Sequence, residues 1–242
     1  MRIAIFSDIH ANLHALEAVL ADIDREGVDE LWCLGDVVGY GPRPNECVDL
    51  IRARADLCLC GNHDLAVLGS IDIAEFSGDA AAAARWTQLE LGDNQAAWLR
   101  GLAPSGARGG ADLFHGSPRD PIWDYVLSEE VARACLEVTT APVVLVGHSH
   151  VALALSLLDG QVAGGLAPAA TDIDLASARW LLNPGSVGQP RDGDPRAAWL
   201  LIDEGARRGT FCRVPYPIEQ TQSEIRDRGL PAALAARLPH GI

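Results

Sequence analysis

The first sixty residues alternate strand-length apolar runs with helix-length amphipathic ones, and that order by itself selects an α/β architecture. Arg2 to Ser7 reads as a buried strand. Leu13 to Arg25 then sets Leu13, Leu16, Val19, Leu20 and Ile23 on one helical face, with Asn12 positioned as N-cap. Asp29 to Leu34 is expected as a second strand, Pro44 to Arg54 as a second helix with proline in its first turn, and Asp56 to Cys60 as a third strand. A β-α-β-α-β series requires crossovers, so these strands are predicted to be parallel.

From Leu65 to Arg100 the strand pattern disappears. The stretch is rich in alanine, with Trp86, Leu89 and Trp98 at broadly helical intervals, and predicts a helical insertion or cap over residues 65–100. A glycine-rich turn region, Gly101 to Gly110, follows. Short strands are then expected at Ala111 to Phe114, Val143 to Val146, Val151 to Leu158, Trp180 to Leu182, Ala197 to Ile202 and Thr210 to Val214, with Asp159-Gly160 as a tight hairpin turn. Residues from Pro217 onward read as helical. Without an internal repeat or low-complexity linker, residues 1–242 are expected to form a single domain, and 242 residues, 48% of them apolar, suffice for its core.

Composition narrows the function. No apolar run approaches the roughly 18 residues of a membrane span, and the start of the chain lacks the apolar region and small-residue cleavage site of a signal peptide, so a soluble cytoplasmic protein without membrane contact is expected. Six cysteines lie scattered in apolar segments without paired C-x-x-C spacing, which favours free thiols over disulfides or a cysteine metal site. A formal net charge of -14, with no basic cluster, argues against a nucleic-acid polymer as partner. A homodimer is expected only as a common state of soluble enzymes.

The chemistry lies where strands end. Five predicted strands run into Ser7-Asp8-Ile9-His10, Gly35-Asp36, Gly61-Asn62-His63-Asp64, Phe114-His115-Gly116 and Gly147-His148-Ser149-His150. Active sites of parallel sheets gather at the carboxyl ends of the strands, so motifs distant in sequence converge there. Five of the seven histidines fall in these motifs, a concentration that a scatter of surface and core histidines does not produce. The donors are carboxylate, imidazole and one amide, without thiolate, which suits manganese foremost, with iron, nickel or zinc as alternatives.

The succession D-x-H, G-D, G-N-H-D, H and G-H-x-H resembles the calcineurin-like metallophosphoesterases, from Asp8 to His150, with a further typical stretch at Asn183 to Arg191. The resemblance implies a four-layer α/β/β/α sandwich holding two divalent metal ions at one end. It implies Asp8, His10 and His150 on the first ion, Asn62, His115 and His148 on the second, and Asp36 bridging both. Hydroxide between two cations about 3.5–4 Å apart is nucleophilic at neutral pH and attacks phosphorus in line. His63 is implied as general acid or as a donor to the transition state, beside Asn62 at the substrate; Asp64 either orients the His63 ring or caps a helix.

Protein Ser/Thr phosphatases of this family carry an arginine after G-D and another before G-N-H. Here those loops read Gly35-Asp36-Val37-Val38-Gly39-Tyr40-Gly41 and Cys60-Gly61-Asn62-His63-Asp64, without arginine. A monoester dianion gains more from guanidinium forks than a diester monoanion, so a small phosphodiester is the expected substrate. Phosphomonoesters, phosphoproteins and dinucleoside polyphosphates are the alternatives within enzymes, and a non-catalytic scaffold of the same fold is the alternative outside them. In Asn183-Pro184-Gly185-Ser186-Val187-Gly188-Gln189-Pro190-Arg191, either Ser186 or Arg191 lies at the phosphate rim, with Arg191 taken as substrate-binding, or the loop merely closes the second sheet. Trp123 and Tyr125 offer a stacking surface, which puts nucleotides among the candidate substrates, and Ala80 to Trp86 would roof the site.

Overall fold

In the computed structural model, which describes residues 1–242, strand β1 (Arg2–Phe6) turns Ile3 and Ile5 to one face and Ala4 and Phe6 to the other. Helix α1 (Leu13–Glu26) begins at Asn12, whose Oδ1 accepts the Ala15 N–H at 3.2 Å, and leads to β2 (Glu30–Cys33), α2 (Pro44–Arg54) and the short β3 (Leu57–Cys58). The three strands are parallel, as the crossovers require. Residues 62–99 hold α3 (Asn62–Val67), a 3₁₀ turn (Ile73–Glu75), α4 (Gly78–Glu90) and α5 (Asp93–Leu99).

The second half supplies β4 (Ser105–Arg108), β5 (Ala111–Phe114), α6 (Glu129–Glu137), β6 (Val143–Leu145), β7 (Ala152–Leu158), β8 (Gln161–Leu166), β9 (Asp172–Asp174), β10 (Arg179–Pro184), β11 (Ala197–Asp203), β12 (Arg208–Val214), α7 (Ile218–Asp227) and α8 (Ala232–Arg237). Two six-stranded sheets result, ordered β3-β2-β1-β11-β12-β9 and β4-β5-β6-β10-β7-β8. β5, β6 and β10 are parallel neighbours, so β10 releases its loop at the same sheet edge as β5 and β6.

Alternation along the strands sorts the side chains into four layers. Ile3, Ile5, Trp32, Leu34, Leu113, Leu145, Leu182 and Leu200 meet between the sheets. Ala4, Phe6 and Cys33 turn outward against Leu16, Val19 and Ile23 of α1 and Val48 and Ile51 of α2. Val144, Val146 and Leu181 on the opposite surface bury Ala132, Cys135 and Leu136 of α6. Each fully buried aliphatic or aromatic chain contributes about 1.5–3 kcal/mol, and slipping one strand by a residue would turn its whole set to the wrong layer. A smaller cluster joins Ile225 of α7 and Leu234 of α8 to Ala83 of α4, with Tyr40 against it.

Four elements differ from the sequence expectation. β4 lies in the stretch expected as turn: it is an edge strand whose one apolar residue, Ala107, sets no alternation. β8 is interrupted by Gly164 and Gly165, and β9 is three residues long, so neither carries a period of two. α6 falls among expected strands; its signal was Ser128 ahead of Glu129 and Glu130, and Ser128 Oγ does accept the Val131 N–H, at 3.3 Å. The Asp159-Gly160 hairpin turn is present, both residues having positive φ, 48° and 75°. All six cysteines are free, and no helix is long and apolar enough to cross a membrane.

Candidate metal centre

Six loops leave the carboxyl ends of β1, β2, β3, β5, β6 and β10 and meet over one edge of the two sheets. They arrive by an unusual backbone route. Asp8, His10, Ala11, Asp36, Tyr40, His148 and His150 all have φ between 50° and 63°, the left-handed region that costs non-glycine residues about 1 kcal/mol or more each. These residues therefore turn sharply just past their strands. D-x-H and H-x-H side chains that would alternate in a strand come instead to the same side.

Each carboxylate is anchored by one oxygen and leaves the other bare. Asp8 Oδ2 accepts the His148 N–H at 3.1 Å, and Asp36 Oδ1 accepts the His63 N–H at 2.9 Å. Asp8 Oδ1 and Asp36 Oδ2 are buried without a hydrogen-bond partner. Asp8 Oδ1 lies 3.3 Å from His150 Nε2 and 3.8 Å from His10 Nε2. Asp36 Oδ2 lies 3.6 Å from His10 Nε2 and 3.5 Å from His115 Nε2, between two histidines from different loops. Donor atoms of Asp8, His10, Asp36 and His150 fall within 4.8 Å of one another, as do those of Asp36, His115 and His148. Asn62 Oδ1, 3.1 Å from His115 Nε2, joins the second group.

Ring orientation is fixed from behind. His10 Nδ1 faces the Val38 carbonyl at 3.2 Å, His115 Nδ1 the Leu34 carbonyl at 2.9 Å, and His150 Nδ1 the Gln189 carbonyl at 2.7 Å. A carbonyl only accepts, so each Nδ1 carries the proton and each Nε2 presents a lone pair to the cluster. His10 Nε2 and His150 Nε2 then face each other at 2.9 Å as two lone pairs, and His148 Nε2 is buried without a partner. Burial pushes the imidazoles of His10 and His150 down, and that of His148 down to about 3. Neutral rings and bare carboxylate oxygens in a dry site are unsatisfied without a cation and suited to one. Burial raises Asp36 well above the usual carboxyl range, aided by Asp64 and Asp8 nearby.

His63 is brought to the centre without joining either group. Its ring sits edge-on to His10 (centroids 4.8 Å apart) and Phe76 (4.7 Å) and against Tyr40 (4.4 Å), while its Nδ1 has no partner. Gly39 makes the room: a Cβ there would stand 2.7 Å from His63 Nδ1. Asp64 corrects one of the two roles expected for it. Its carboxylate accepts the N–H groups of Gly61 (2.9 Å), Val38 (3.0 Å) and Val37 (3.3 Å), capping α3 and tying it to the loop after β2, and it makes no hydrogen bond to the His63 ring. The cap is the role it fills.

The β10 loop reaches the site as well. Ser186 Oγ donates to the Asp8 carbonyl and accepts the Gln189 N–H, both at 2.8 Å, so it braces the Asp8 turn from below and is not at a phosphate rim. Arg191 donates to Gln189 Oε1 at 2.8 Å and to Tyr40 Oη at 3.4 Å. Its guanidinium lies 5.7 Å from the Tyr40 ring centre. The site thus has an arginine, although neither loop in which one was sought contains it. Tyr125 stacks on His148 with ring centres 4.0 Å apart, and Trp123 meets Phe76 at 5.5 Å. Tyr40, Phe76 and Gln189 had been given no role from the sequence; for Tyr40 the signal was an aromatic residue between Gly39 and Gly41 immediately after a metal-type motif.

Comparison with known proteins gives the same class. The calcineurin-like phosphoesterase superfamily domain matches residues 1–205, and the chain belongs to that family of metal-dependent phosphoester hydrolases. A metallophosphoesterase from Sphaerobacter thermophilus superposes with a TM-score of 0.90 at 42% identity, covering 100% of this chain and 99% of the other. An uncharacterized protein of Methanocaldococcus jannaschii is 37% identical over 98% of this chain and 96% of its own length. A hypothetical protein of Pyrococcus horikoshii OT3 shares the fold, with a TM-score of 0.80 at 21% identity over 100% and 98% of the two chains.

Proposed function

We propose that the chain hydrolyses small phosphate esters with two divalent metal ions, manganese foremost, and that phosphodiesters are its preferred substrates. The observation that carries the two-metal reading is the pair of donor groups sharing Asp36, one closed by Asp8, His10 and His150, the other by His115, His148 and Asn62. When bound, two such cations supply positive charge to the phosphoryl oxygens and lower the pKa of a water toward neutrality. The protein's share is to hold neutral imidazoles and bare carboxylate oxygens ready, exclude bulk water, and present His63 beside them. Burial keeps His63 well below its ordinary pKa, so its neutral ring acts as a hydrogen-bond donor to the leaving oxygen, and Arg191 binds an anionic group of the substrate.

The diester preference rests on the two arginine-free loops. Arg191 favours a second reading, because one guanidinium in the site also serves a monoester dianion or a dinucleoside polyphosphate. The complete donor set and the retained His63 speak against a scaffold that only resembles an enzyme. The test is hydrolysis of bis-p-nitrophenyl phosphate and p-nitrophenyl phosphate by metal-stripped protein reconstituted with Mn²⁺, with His63→Ala as control. Faster diester turnover that needs both Mn²⁺ and His63 is expected. Monoester preference would move the assignment to the second reading, and inactivity on both would favour the scaffold.

A further inference from the structure

The chain has 33 acidic residues against 19 basic ones, and ten of its arginines pair with a carboxylate. Arg213, near the site loops, has one in Asp192. Arg191 and Arg237 do not. Both are partly buried, and both donate to the same uncharged atom, Gln189 Oε1, at 2.8 Å and 3.3 Å. Arg191 Nε is buried without any partner. Two guanidinium groups converging on one amide oxygen repel each other, and the amide returns far less than a carboxylate would.

Their place in the fold gives the pair a purpose. Gln189 holds His150 Nδ1 through its backbone carbonyl at 2.7 Å, so the pair stands directly behind a donor of the metal cluster. Tyr40, which Arg191 touches, lies with its ring centre 4.6 Å from that of His10 and 4.4 Å from that of His63. Arg237 ends α8 and comes from the C-terminal helices, outside the family-defining region of residues 1–205.

We infer that Arg191 and Arg237 form a subsite for a second phosphate group, so that the substrate carries one phosphate at the metal cluster and another against this arginine pair. The inference rests on the phosphoesterase reading of the site and adds the substrate class to it. A phosphate dianion is the chemical match for the pair, because planar guanidinium forks give paired N–H bonds to its oxygens that the single Gln189 oxygen does not take up. The net charge of the chain makes such a local positive pair selective for where the anion lands.

The experiment measures dissociation constants by calorimetry on Mn²⁺-loaded protein for thymidine 5′-monophosphate, thymidine 3′,5′-bisphosphate and thymidine 5′-diphosphate. One of the two doubly phosphorylated ligands should bind about tenfold or more tightly than the monophosphate, the scale of one charge-assisted contact. Tighter binding of the bisphosphate means that a sugar separates the two groups, and tighter binding of the diphosphate means an anhydride. In Arg237→Gln the gain should fall below about threefold, and Arg237→Lys, which keeps the charge without the fork, should retain part of it. Equal binding of all three ligands, or a gain that survives in Arg237→Gln, would overturn the subsite. Because the readout is binding, it stands apart from the ester assay: inactivity there with an Arg237-dependent gain here would sink the hydrolase reading alone.

Discussion

Gly61→Ala should cripple the centre for a reason that can be read from distances. Gly61 has ordinary extended backbone, φ -107° and ψ -177°, so alanine meets no conformational penalty there. Its Cβ would stand 2.0 Å from Asp36 Oδ1 and 2.6 Å from His115 Cε1, where ordinary contact begins at 3.4 Å. Asp36 would have to retreat by 1.4 Å, the difference between 3.4 and 2.0 Å. Asp36 is the carboxylate common to both donor groups, so neither group keeps its geometry. Misplacement of about 1 Å at a reacting centre costs roughly 10²-fold in rate, and loss of a metal ligand adds to it. The assay is Mn²⁺-dependent ester hydrolysis with metal content measured on the same samples. Gly78→Ala is the control, since nothing lies within 4 Å of its Cβ and it opens α4, where alanine favours helix. Metal-loaded Gly61→Ala protein with activity near that of the parent would refute the placement of Asp36.

Asp64→Asn should lower Tm together with activity, because an amide cannot accept all three of the N–H groups that Asp64 holds; each buried donor left unmet costs about 1–3 kcal/mol. A fall in kcat with Tm unchanged would return Asp64 to the orienting role. Glu224 on α7 receives Arg43 through both carboxylate oxygens, at 2.6 and 2.9 Å, which holds its carboxyl below the usual range while leaving it 23% exposed. A depressed carboxyl stabilises the fold above its unfolded pKa, and that contribution is lost as pH falls through the folded value. Glu224→Gln should therefore reduce Tm by about 2–4 °C at pH 7, for about 1 kcal/mol after solvent screening, and the gap should narrow as pH falls below the ordinary glutamate range. A gap that widens in acid would contradict the pairing. With His10, His148 and His150 held neutral by burial, metal loading at pH 7 should release few protons, none of them from these imidazoles. Calorimetry in buffers of different ionisation enthalpy counts them, and three or more would mean charged imidazoles.

Much of the fold was legible because the layers are written in periodicity. Ile3 and Ile5 against Ala4 and Phe6, or Leu16, Val19 and Ile23 at helical spacing, report which side each element buries. β4, β8 and β9 carry no such record, being short, glycine-rich or at sheet edges, where backbone pairing rather than apolar alternation makes the strand. The convergence of Asp8, His10, Asp36, His115, His148 and His150 was legible because carboxylates and imidazoles clustered after strands have few other uses. What surrounds them was not. Tyr40, Phe76 and Gln189 are ordinary residue types whose roles come from the left-handed turns that aim their neighbours, and Arg237 reaches the site only because α7 and α8 fold back over it. Arg191 was singled out from its own loop and not from the two loops searched for arginine, and the loop after β10 brings it from the other sheet to Tyr40.

Anomalous X-ray scattering at the manganese edge, from crystals of the Mn²⁺-reconstituted protein, tests the central claim most directly. Two peaks are expected on either side of Asp36 Oδ2, about 3.5–4 Å apart, one facing Asp8, His10 and His150 and the other Asn62, His115 and His148. A single peak, or two that do not share Asp36, would contradict the two-metal account and the chemistry built on it.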